Sequence, residues 1–194
     1  MKKTIGKTVD KFVDFGLVEA SDKDLFAYGF RLAILMFINA ISIILIGIAF
    51  NMFVNSVIFL IMFLVIRSYS GGFHASGPKR CYFYSLVLIM ITFYIMKRTI
   101  GFHIIWLIAF IASTVIIFLL SPVEAKNKSL TAIEKKVFGR KTKIILNVLT
   151  IVNISSYCLN LMGVFSSITS ALILDALLLV VEKYRIKFVL DNPN

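Results

Sequence analysis

The sequence predicts an all-α polytopic membrane protein, with six transmembrane helices behind an amphipathic N-terminal segment and both termini in the cytoplasm. Three observations carry this expectation. Hydrophobic residues make up 59% of the 194 positions and mean hydropathy is +0.93, well above the roughly 45–50% apolar usage of soluble domains. The apolar residues fall into long runs rather than the short periodic stripes of a water-soluble core. Lys and Arg alternate between rich and poor connecting segments, as the positive-inside rule requires of an even number of crossings. One membrane domain is expected: an amphipathic segment over 1–29, a six-helix bundle over 30–181 and a cytoplasmic tail over 182–194. No internal repeat or low-complexity stretch is visible.

Residues before span one do not read as a cleavable signal, because Met1-Lys2-Lys3 leads to Asp10, Asp14 and Glu19 rather than into a continuous apolar stretch. Ile5, Val9, Phe12, Val13 and Leu17 recur at helical spacing, while Lys2, Lys3, Lys7 and Lys11 can meet anionic headgroups, which is the pattern of an interfacial helix. Ser21 and Asp24 have the spacing of a capping box that starts a second helical segment leading into span one.

The spans are expected at Leu32–Phe50, Met52–Ile66, Tyr82–Met96, Ile104–Leu120, Ile144–Gly163 and Val164–Val181. Leu32 to Ile66 is uncharged throughout, and as one helix would be about 52 Å long against a hydrocarbon core of about 30 Å. It must cross twice, turning near Asn51. Ile144 to Val181 would reach about 57 Å and turns near Asn160 to Gly163. With these six spans, the segments assigned to the cytoplasm hold nineteen Lys/Arg and those assigned outside hold two, Lys97 and Arg98. This puts both termini, the segment from Arg67 to Cys81 and the segment from Ser121 to Lys143 on the cytoplasmic face.

Net charge is +11, and most of it follows from this topology. The basic residues are spread over several membrane-flanking segments without a recognisable nucleic-acid module, so membrane lipid is an expected partner and nucleic acid is not. An acidic peptide approaching from the cytoplasm would feel the same field.

Cys81 at the inner mouth of span three and Cys158 near the outer end of span five are separated by topology, so no disulfide is expected, and Cys158 reads as a small packing residue. Two His and two Cys at different levels of a bilayer lack ligand spacing; neither a metal site nor a cofactor is expected. His103 reads as an interfacial residue on the outer side.

His74 and Cys81 stand seven residues apart in Gly71-Gly72-Phe73-His74-Ala75-Ser76-Gly77-Pro78-Lys79-Arg80-Cys81. A thiol that ionises beside an imidazole can attack a carbonyl, with His as the base. The glycines and Pro78 allow the chain to fold back and join the two groups. Alternatively, Pro78 begins a helix and Cys81 lies in its first turn, where the helix dipole and Lys79 and Arg80 favour the thiolate. From spacing alone, a solvated basic loop with an incidental His and a buried Cys accounts for the segment equally well. No carboxylate lies between Asp24 and Glu124, so the pair reads as a dyad rather than a triad. Asp175 is the one acid inside a span and is a functional candidate for that reason, either neutral or paired with a base such as Arg67. A structural or proton-sharing role is expected of it rather than catalysis.

Arg67-Ser-Tyr-Ser-Gly71-Gly72-Phe-His74-Ala75, with Cys81 seven residues after the histidine, resembles the signature of the accessory gene regulator B (AgrB) family, membrane peptidases of bacterial quorum sensing. Ser121-Pro122-Val-Glu-Ala-Lys126-Asn127-Lys128-Ser-Leu130 is similar to that family's proline-containing, lysine-rich cytoplasmic loop. Length, span count and the basic amphipathic start also match. The resemblance implies a cysteine endopeptidase with Cys81 as nucleophile and His74 as general base and acid. Its substrate would be a pro-peptide with an amphipathic leader and an acidic C-terminal tail, processed through a thioester to a thiolactone or lactone. Arg67 and Gly72 fall on positions the family associates with activity. Physical roles follow: Arg67 as a carboxylate anchor or orienting charge, and Gly71 and Gly72 as permissive backbone that presents N–H donors to an oxyanion. Lys126, Lys128, Lys135 and Lys136 would hold the acidic tail, although solvated positive-inside residues explain them almost as well. The family is thought to act as homodimers. The alternative from another class is a small six-helix transporter or channel that uses Asp175, against which stands the lack of an internal repeat.

Overall fold

The computed structural model describes residues 2–71, 78–123 and 131–191. Among them the chain is helical: α1 (Lys2–Asp14), a single 3₁₀ turn (Ala20–Asp22), α2 (Lys23–Ala49), α3 (Phe53–Ser70), α4 (Pro78–Thr99), α5 (His103–Leu120), α6 (Ala132–Cys158) and α7 (Met162–Asp191). Each expected span falls on one of α2 to α7. Four of these, over Lys23–Ala49, Phe53–Ser70, His103–Leu120 and Met162–Arg185, are long and apolar enough to cross a membrane. α4 and α6 carry the uncharged stretches Tyr82–Met96 and Ile144–Cys158, and charged turns lengthen both helices beyond them.

The chain divides into two compact units, Met1–Ser42 and Ile43–Asn194. In the first, Val9 and Phe12, two of the apolar positions expected on one face, are packed, whereas Leu17 lies beyond α1 and is exposed: Val9 is buried, and the Phe12 ring packs edge-on against Phe26 and Phe30 at 5.7 and 6.4 Å. Lys23 and Asp10 form an exposed ion pair at 2.6 Å. The expected capping box does not form. Ser21 lies inside the 3₁₀ turn and its hydroxyl donates back to Glu19 at 3.4 Å, because the turn places it ahead of the first residue of α2 rather than at its N-cap.

The second unit is built around α7, which packs most extensively on α3 and α5 and also meets α6 and α4. Its first half, Phe165-Ser166-Ser167-Ile168-Thr169-Ser170-Ala171-Leu172, is buried throughout. Small side chains let neighbouring backbones approach closely, which is how helices associate where lipid removes the hydrophobic drive. Phe165 wedges between Phe110 of α5 and Tyr157 of α6 at 5.9 and 5.0 Å. Asn55 of α3 donates to the Gly163 carbonyl at 2.8 Å and to Ser167 Oγ at 3.0 Å, and Asn153 of α6 donates to Thr169 at 2.9 Å. Such interhelical bonds contribute about 0.6–2 kcal/mol each in a membrane. Large apolar side chains on the outer surfaces of α3, α4 and α5, such as Ile61, Ile95 and Ile108, remain exposed.

Both hairpin turns fall where chain length demands them, and they use one device. After α2, Asn51 has φ 58°, its N–H donates to Ile48 O, and the Met52 N–H donates to Gly47 O at 2.7 Å. After α6, Asn160 has φ 59°, with Asn160 N–H to Tyr157 O and Leu161 N–H to Ser156 O. These are Schellman closures in which Asn occupies the left-handed position. Two sequence expectations change. Cys158, the last residue of α6, is exposed rather than packed, because the helix ends with that face turned outward. The segment expected as a connection from Ser121 to Lys143 is helical from Ala132, and α7 carries the segment expected as a tail onward as helix to Asp191.

Candidate functional site

α3 ends at Ser70 because Gly71 follows in a conformation, φ 77° and ψ −153°, that only glycine adopts readily. The turn is required by a neighbour. Gly71 pairs with Val123 in an isolated parallel bridge, and the Val123 N–H donates to the Ser70 carbonyl at 3.0 Å. A Cβ on Gly71 would run into the Val123 carbonyl oxygen. The segments carrying the two resemblances, Arg67 onward and Ser121 onward, are thus joined through backbone. Pro122 in turn lies against Gly139 of α6, where a Cβ would approach its Cδ to 3.2 Å. The Tyr69 ring meets Phe138 at 6.2 Å and lies under Lys141 Nζ at 5.1 Å.

Two polar side chains of α3 fix this corner to α7. Asp175 is completely buried; its Oδ1 accepts from Ser70 Oγ at 2.9 Å and lies 3.6 Å from Arg67 Nη1. The same Arg67 nitrogen donates to the Gly71 carbonyl. Arg67 is an anchor for a carboxylate, as its charge suggests, and here the carboxylate is Asp175. Ser70 is the member that sequence reasoning missed. Serine near a helix end has many ordinary uses, so no local pattern marks it. Among the described residues, the buried Asp175 Oδ2 has no hydrogen-bond partner.

The expected nucleophile, Cys81, occupies the first turn of α4, three residues after Pro78; its side chain lies outside the described residues. His74, Gly72, Lys126 and Lys128 also lie outside them. Lys135 and Lys136 are exposed at the start of α6, whose first turn is closed by a capping box: Thr131 Oγ1 accepts from Glu134 N–H at 3.3 Å and Glu134 Oε2 accepts from Thr131 N–H at 2.9 Å. The Thr131-x-x-Glu134 pattern, which sequence reasoning passed over, explains why α6 begins a dozen residues before its apolar run. His103 is exposed at the first residue of α5.

Apolar helices packed around α7, with a buried ionic corner where α3 and α7 meet, define a polytopic all-α membrane protein. The family model for accessory gene regulator B matches residues 5–180, and the chain belongs to that family. Among curated relatives it is 30% identical over 136 residues to a protein of Clostridium perfringens (strain SM101 / Type A) named "Putative AgrB-like protein". It is 29% identical over 136 residues to "Putative AgrB-like protein 2" of Clostridium perfringens (strain 13 / Type A). Each alignment covers 66% of this chain and 63% of the relative, so the chain matches somewhat less than two thirds of their length. No solved structure matches.

Proposed function

We propose that this protein is a membrane-embedded cysteine endopeptidase of peptide quorum sensing that removes the acidic C-terminal tail of a pro-peptide and promotes closure of the remaining segment into a ring. In this reading Cys81 is the nucleophile. His74 takes the thiol proton and the thiolate adds to the carbonyl preceding the tail; the C–N bond then breaks and His74 returns the proton to the departing amine. The thioester on Cys81 is next attacked by a Cys or Ser within the peptide, which releases a thiolactone or lactone and restores the thiol. Exchange of one thioester for another is nearly isoenergetic, so the acyl group is conserved if water is kept out.

The observation that supports the reading is the backbone junction of Gly71 with Val123, which holds together the two segments that resemble the family signature; Cys81 lies in the first turn of α4, the helix that follows α3 in the chain. Pro78 near the helix start and the positive end of the α4 dipole suit a thiolate there. Lys126, Lys128, Lys135 and Lys136 form the basic ground for the acidic tail, and Gly71 and Gly72 are the permissive backbone that presents N–H donors to the oxyanion. The proposed topology has six spans with both termini and this site at the cytoplasmic face, in a bacterial cell membrane, and the working form is a homodimer. The transporter reading gains nothing from Asp175, which is engaged with Ser70 and Arg67.

The test is co-expression in membranes with the candidate pro-peptide, following peptide mass. Cys81→Ala and His74→Ala are expected to abolish processing and Cys81→Ser to leave at most a trace. Continued processing by both alanine variants overturns the assignment. Replacing the four lysines by Gln should raise KM for the pro-peptide most strongly at low ionic strength.

A further inference from the structure

The α3–α7 pair is bonded at both ends by polar side chains, and the two ends differ in what lies beyond them. At one end Asn55 reaches Gly163 O and Ser167 Oγ, next to the turns that open α3 and α7. At the other, Asp175 holds Ser70, whose carbonyl receives the Val123 N–H, and Arg67, whose guanidinium holds the Gly71 carbonyl. Among the described residues, both polar contacts of Asp175 therefore lead to the Gly71–Val123 junction. A completely buried carboxylate is costly, and simple helix packing does not require one, as the uncharged Asn55 contact on the same helices demonstrates.

We infer that Asp175 is a positioning residue, which through Ser70 and Arg67 sets the Gly71–Val123 junction in the geometry that the Cys81 reaction needs. The inference rests on the proposed peptidase function and adds a residue to it. The carboxylate touches no substrate. It acts by fixing where α3 releases the chain three residues before His74, and how the Val123 backbone sits against that point. A displacement of about 1 Å at a reacting centre costs up to about 100-fold in rate.

The experiment compares Asp175→Asn, Ser70→Ala and Asn55→Ala in the full-length protein in membranes, with two readouts: kcat and KM for pro-peptide cleavage, and hydrogen exchange at the Val123 amide. Asp175→Asn is expected to lower kcat by about tenfold or more at unchanged KM and to speed Val123 exchange, with Ser70→Ala moving both in the same direction by less. Asn55→Ala should lower thermal stability and leave kcat and Val123 exchange at parental values. The inference is overturned if folded Asp175→Asn keeps parental kcat and exchange, or if Asn55→Ala reproduces its losses. Should Asp175→Asn fail to fold, Ser70→Ala decides by the same two readouts. If the parent chain processes no peptide, the peptidase reading fails, while Val123 exchange still tests the tether.

Discussion

Gly71 shows how one residue can be dictated by a partner far away in sequence. Its positive φ and extended ψ lie in a region that costs other residues about 1–3 kcal/mol, and the Val123 carbonyl occupies the space a Cβ would need. Gly71→Ala should therefore part the junction and reduce pro-peptide cleavage about tenfold or more, since about 1.4 kcal/mol corresponds to a factor of ten. Cleavage rate and Val123 amide exchange in the same preparation check this, and parental values of both would contradict it. Cys158 is the opposite case. Its type and place suggested packing, yet it is exposed at the end of α6, since a residue's neighbours depend on helix rotation and α6 turns Asn153 and Ser156 inward instead.

At the scale of elements, helix ends explain more than helix interiors do. Gly16, Asn51 and Asn160 all stand in the left-handed position after a helix, each with its N–H and the next residue's N–H bonded back into the last turn. Gly and Asn tolerate this conformation, whereas other L-residues pay about 1–2 kcal/mol. Asn160→Gly should leave stability nearly unchanged and Asn160→Val should lower it by about 1–2 kcal/mol, the β-branched side chain being least suited to positive φ. Reversible unfolding in mixed micelles measures the difference; equal stability of the two variants would refute the argument. The turn sites were legible because two apolar runs were too long for one crossing. The early start of α6 was missed: Thr131 and Glu134 carry a capping-box pattern, but the charged residues after them read as connection. A capping box can hold a basic helical turn that hydropathy treats as loop.

For the whole molecule, the distribution of Lys and Arg makes a prediction about sidedness. In a Cys81→Ser, Cys158→Ser background, His103→Cys should react with a membrane-impermeant maleimide in intact cells, while reporter fusions at either terminus report the cytoplasm. Labelling of His103→Cys only after permeabilisation would refute the six-span topology.

By itself the sequence determined the helical class, the number of long helices, the two hairpin turns and the pairing option for Asp175, and it singled out His74 and Cys81 as the candidate pair. These follow from composition, length and charge, which are local or additive properties of a chain. Only the tertiary structure decided that α7 is the central helix, that Ser70 joins Arg67 at Asp175, and that Gly71 meets Val123. Those contacts depend on how helices rotate and how closely small residues let them approach, and no periodicity in the sequence records either.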